Sequence, residues 1–262
     1  MTGLFKTQLA DGIMGMDDDK SAFWHQLYHA KKIKKKQFSL CFSRPTSISR
    51  HGTGAGSITL GGTETMLHSS PMVYTSIINT SSEKKNKSGY FDVHIRKLYW
   101  RDGRGGDSAG TKDDSAVVIK LNSGLGFINR GGVIVDSGTT DSYLSSVISV
   151  TLEKNFKTVS GLLFNNDEVS LSPEELDKMP TLLLQLAGDQ IMNQKVVDKY
   201  GKGNVNNIST LAGNFDPDNP LDVIVAVPPS HYMESTSDGQ YVNRIYDTEE
   251  DGSVLGANGT SS

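Results

Sequence analysis

One stretch of the 262-residue chain could do chemistry: Gly131-Gly132-Val133-Ile134-Val135-Asp136-Ser137-Gly138-Thr139-Thr140. Three β-branched residues read as a buried strand that ends abruptly in a carboxylate. Gly138 permits a tight turn in which backbone approaches backbone. Ser137 and Thr139 place hydroxyls beside Asp136. Donors aimed at a carboxylate favour its ionised form and fix its rotamer. Other chemistries compete for the same residues. A strand-ending aspartate suits phosphotransfer, but that usually wants a second acid two residues on, where Gly138 stands. A nucleophilic Ser137 would want Gly-Asp-Ser-Gly-Gly, which Val135 and Thr139 break, and no histidine is identifiable as its base. Asp-Ser-Gly alone is also common in plain turns.

The elements that must hold this stretch are mostly strands. Short β-branched runs separated by Gly, Asn, Asp and Ser clusters predict strands over 37–42, 57–60, 90–99, 116–121, 133–135, 181–186, 222–227 and 241–246. Three helices are predicted. Residues 21–33 put Trp24, Leu27 and Tyr28 on one face, and residues 145–156 align Ile148, Leu152 and Phe156. Residues 172–177 start with Ser172, carry Pro173 at the first helical position and have acids in the first turn. Loops are expected at 43–55, 80–89, 102–114 and 199–219. The fold class is therefore all-β with a few short helices.

Composition sets the outer bounds. A formal charge of −4 and a pI near 5.9 argue against nucleic acid as the main partner. No run approaches the ~20 apolar residues of a membrane span. The opening residues lack the basic-then-apolar layout of a signal peptide. Cys41 is the only cysteine, so no disulfide can form within the chain, and it is expected as a small buried residue. Sequons of the form Asn-x-Ser/Thr occur at Asn79, Asn86, Asn207 and Asn258 and hint at secretion. His25 and His29 have the spacing of a helical zinc pair but lack the glutamate that follows the first histidine in that motif. They are expected on the solvated helix face. Lys31–Lys36 is expected to be a solvated cationic helix end, and Asp17–Asp19 to be acids at a helix start.

The Gly131–Thr140 string resembles the second active-site motif of pepsin-like aspartic endopeptidases, an apolar run followed by Asp-Ser/Thr-Gly-Thr. Other pieces resemble that family in order: Asp11-Gly12-Ile13-Met14-Gly15-Met16, Phe38–Phe42, Gly56–Gly62, Met72-Val73-Tyr74, Gly89–Val93, Met179–Leu182, Val227–Tyr232 and Val254–Asn258. The resemblance implies a bilobal β fold with one aspartate per lobe. It makes Asp136 the second catalytic aspartate, with Ser137, Gly138 and Thr139 supporting it, and with Val254, Leu255 and Gly256 behind the turn. It implies aspartic-type hydrolysis of polypeptide substrates by water activation, with no metal or cofactor. Residues 1–62 would be the tail of the N-terminal lobe and 63–262 the C-terminal lobe. The family's first aspartate and flap tyrosine lie upstream of the position of Asp11. The chain is thus expected to be incomplete at both ends, inactive alone, and dependent on a missing N-terminal lobe for its dyad. Localisation would be secretory, vacuolar or extracellular. The alternative is a non-catalytic binding or inhibitor module of pepsin fold.

Overall fold

Alternation decides the first strands. In β1 (Phe38–Phe42) and β2 (Gly56–Leu60), antiparallel register sets Phe38 opposite Leu60 and Leu40 opposite Ile58. Ser39, Cys41, Ser57 and Thr59 therefore share the other face. The computed structural model describes residues 13–42, 56–78, 89–103, 118–121, 128–248 and 252–256. The expected loop at 43–55, most of those at 80–89 and 102–114, and Asp11 lie outside these. The chain divides into two compact units, Met1–Ser70 and Pro71–Ser261.

In the first unit, α1 (Phe23–His29) is shorter than predicted, because Lys31 turns left-handed at φ 56°. Trp24 is buried, lies edge-on to Phe38 at 5.3 Å, and donates its indole N–H to the Asp17 carbonyl. His25 corrects the sequence expectation. It is buried rather than solvated, with Nε2 2.8 Å from Asp18 Oδ1. A carboxylate partner is what allows an imidazole to be taken out of water. Tyr28, expected inside, is exposed at the helix end. Lys36 also reaches Asp18, at 3.6 Å, and lies over the Trp24 ring. Cys41 is half-buried.

Among the described residues the second unit holds three sheets. Its strands are β3 (Ile95–Arg101), β4 (Val118–Lys120), β5 (Val133–Val135), β6 (Ser142–Ser145), β7 (Val169–Ser170), β8 (Thr181–Leu186), β9 (Val223–Val227), β10 (Met233–Ser237), β11 (Gln240–Asn243), β12 (Ile245–Thr248) and β13 (Ser253–Leu255). Its helices are α2 (Ser149–Ser160), α3 (Pro173–Lys178), α4 (Gln190–Tyr200) and α5 (Pro229–Tyr232). One antiparallel sheet runs β4-β3-β8-β9, a second β10-β11-β7, and a mixed sheet β12-β6-β13-β5. The architecture is strand-rich with short helices, in keeping with an all-β class.

The core lies on one face of the β4-β3-β8-β9 sheet. Leu98 and Trp100 of β3 and Leu182, Leu184 and Leu186 of β8 pack there with Phe156 and Tyr232. The Trp100 indole donates to the Leu152 carbonyl at 3.0 Å, and the Tyr232 hydroxyl to the Pro180 carbonyl at 2.6 Å. Ile148, Leu152 and Phe156 recur every fourth residue and all turn inward, although Ile148 sits in a 3-10 turn ahead of α2. The predicted α3 has a full capping box, with Ser172 Oγ accepting from the Glu175 amide and Glu175 returning a bond to the Ser172 amide.

The other face of that sheet carries a small apolar cluster of Tyr99, Leu183, Ala212 and Ile224 and, beside it, a buried polar network. Gln185 donates to both Asp216 and Asp222, at 2.6 and 2.8 Å, and accepts from the Tyr99 hydroxyl. Lys97 Nζ lies 2.6 Å from Asp216, and Arg96 pairs with Asp222. Burial pushes the Tyr99 phenol well up, with Asp216 and Asp222 adding to the effect. This network ties the irregular 201–222 segment to β3 and β8.

Asp189 caps α4 by accepting from the Met192 amide at 2.9 Å. Replacing Asp189 with Ala is expected to cost about 1 kcal/mol, or roughly 2–4 °C in the melting midpoint of a unit this size. Asn at the same position should restore most of it. A thermal melt followed by circular dichroism reads both.

Candidate active site

Asp136 sits where β5 ends, and the strand is pinned on both sides up to that residue. On one side the Val93 amide donates to the Val133 carbonyl and the Val135 amide to the Phe91 carbonyl, at 2.9 and 3.0 Å. On the other, β13 runs parallel, with Val254 beside Ile134 and Leu255 beside Val135. The Asp136 amide closes the ladder by donating to the Leu255 carbonyl at 3.1 Å.

Two donors then hold the carboxylate. The Gly138 amide bonds Oδ1 at 2.8 Å, and the Thr139 hydroxyl bonds Oδ2 at 2.6 Å. With each oxygen engaged, the plane of the group is fixed while Asp136 stays half-exposed. Thr139 is half-buried, Ser137 and Gly138 exposed. No hydrogen bond of the Ser137 hydroxyl is made among the described residues.

The glycine that backbone sterics require is not Gly138. A Cβ there would meet only Asp136 Oδ1, at 3.2 Å, whereas a Cβ on Gly256 would stand 2.0 Å from the Asp141 carbonyl oxygen and 2.6 Å from that of Thr139. Gly256 also donates its amide to Ser142 Oγ at 3.1 Å. The turn bearing Asp136 is thus pressed against the residue that follows β13.

A second brace lies beyond the reach of sequence spacing. Arg244, between β11 and β12, brings its Nε within 2.9 Å of Asp141 and 3.0 Å of Glu234. One N–H shared by two carboxylates cannot align with both, so these contacts act chiefly as ion pairs. Burial would pull the Arg244 guanidinium down, but Asp141 and Glu234 outweigh it and raise it. Arg244 also bonds through its backbone, donating to the Tyr232 carbonyl and accepting from the Ser142 amide. Among the described residues no group of three or more His, Cys, Asp or Glu is placed to hold a metal ion.

The family model of eukaryotic aspartyl proteases matches residues 2–204, which include the whole Gly131–Thr140 turn. The chain belongs to the eukaryotic aspartyl protease family. No curated protein matches it. The aspartyl protease match stops before β13, so the pairing of β13 with β5 stands on geometry alone. Membership makes polypeptides the substrate class, and pepsin-like proteases are typically secreted or vacuolar. Among the described residues no helix is long and apolar enough to cross a membrane.

Proposed function

We propose that this chain is part of an aspartic-type endopeptidase and that Asp136 is one of its two catalytic aspartates. The reading is supported by one observation above all: a carboxylate at a strand end, one oxygen held by Gly138 and the other by Thr139, within an aspartyl protease-family chain. Two neighbouring carboxylates share one proton, because like charges at that distance do not both ionise easily. The ionised one takes a proton from a water that attacks the peptide carbonyl. The protonated one donates to the carbonyl oxygen as negative charge develops there. No metal or cofactor enters this chemistry.

In this proposal an N-terminal lobe supplies the second aspartate. Residues 1–62 form the tail of that lobe and 63–262 the C-terminal lobe. Ser137, Gly138 and Thr139 support Asp136 from its own turn, and Val254, Leu255 and Gly256 from behind. The test is hydrolysis of an acid-denatured protein by the complete gene product. Asp136→Asn is expected to lower the rate by about 10²–10⁴-fold with an unchanged melting midpoint. Full activity in a folded Asp136→Asn protein would remove Asp136 from the mechanism.

A further inference from the structure

We propose that Asn207 is an N-glycosylation site, a role independent of the one assigned to Asp136. Its sequon, Asn207-Ile208-Ser209, straddles the protein surface. Asn207 and Ser209 are exposed, while Ile208 between them is buried in the main core cluster. The backbone is held in place by the Ile208 amide bonding the Val205 carbonyl at 3.0 Å. The acceptor residue and its hydroxyl partner are therefore both exposed on an anchored turn.

A glycan attached to the emerging chain has to remain outside once the chain folds. Here it would: Lys202, Gly203, Asn204, Asn206 and Ser209 around it are all exposed, and none brings an apolar side chain that a sugar would cover. Asn207 Nδ2 donates to the Gly201 carbonyl at 2.9 Å. Glycosylation leaves one N–H on that nitrogen, so the modified residue still carries a donor. The co-substrate is an oligosaccharide carried on a polyprenyl diphosphate. Nδ2 attacks the anomeric carbon and its bond to the diphosphate oxygen breaks. The lipid diphosphate leaves with the bonding electrons, Nδ2 releases one proton to a base, and an N-glycosidic bond forms. No redox change is involved.

The experiment is secretion of the full chain from a eukaryotic host, with a control sequon on a flexible tail of the same protein. Tryptic cleavage after Lys202 and Arg244 releases a peptide with Asn207 in its single sequon. Glycan release by a peptide amidase in heavy-oxygen water should leave a mass tag at Asn207. Ser209→Ala should abolish the tag and leave the melting midpoint unchanged. An untagged Asn207 peptide beside a tagged control sequon would overturn the proposal. So would a tag that persists in the Ser209→Ala protein.

Discussion

Gly256→Ala is expected to lower the melting midpoint by about 6–12 °C and to disorder the turn that carries Asp136. The added carbon would stand 2.0 Å from one backbone oxygen and 2.6 Å from another. Overpacking typically costs about 1–3 kcal/mol, and backbone atoms cannot rotate aside as a side chain can. A cost of about 3 kcal/mol converts to that midpoint shift at roughly 2–4 °C per kcal/mol. Gly138→Ala is the matched control. Its carbon would touch only the Asp136 carboxylate, at 3.2 Å, so the melt should move little while catalysis suffers. Calorimetry on both variants separates the two sites, and equal melting losses would contradict the geometry.

Asp216→Ala is expected to cost a similar amount, about 3 kcal/mol at neutral pH. Asp216 is buried, and its loss takes the carboxylate from Lys97 and Asn219 and one of two acceptors from the Gln185 amide. Burial would raise the carboxyl, but bonds from Gln185, Lys97 and Asn219 outweigh it and bring it down to about 2. A carboxyl lower in the folded than in the unfolded chain stabilises once it is ionised in both states. That contribution is complete above the ordinary value of 3.8 and is lost as pH falls through about 2. Melts of the native protein and the variant should therefore run apart by a constant amount from neutral pH down to about 5. They should then converge between about pH 4 and pH 2. Convergence at higher pH would contradict the network as described.

The parts of the fold legible in the sequence are those where one residue type decides the outcome. β5 and β8 are read to the residue, because β5 is a β-branched run after glycine and β8 an apolar run after proline that only Gln185 interrupts. The inward line of Ile148, Leu152 and Phe156 follows from helical period alone. α4 was hidden because its innermost residue is Asn193, whose amide bonds the Tyr74 and Leu221 backbone and interrupts any apolar period. Its signal was the capping Asp189 with Gly201 at the far end. β6 was hidden by buried Ser142 and Ser145, which read as polar. The single strand predicted over 241–246 is two, split at Arg244 and shared between two sheets. At the candidate site, Asp136, Ser137, Gly138 and Thr139 were legible as a local string. Asp141, Arg244 and Glu234 were not, because only tertiary folding brings them together.

The seam between the Asp136 turn and the segment after β13 joins residues far apart in translation. Ser142 and Gly256 are 114 positions apart. At about 5–20 residues per second, the ribosome takes roughly 6–23 s to travel between them. Throughout that interval the nascent turn has its own Gly138 and Thr139 donors but no strand behind it. The turn is braced from behind only once Gly256 has been made, so the brace reaches the site well after the turn itself has been synthesised.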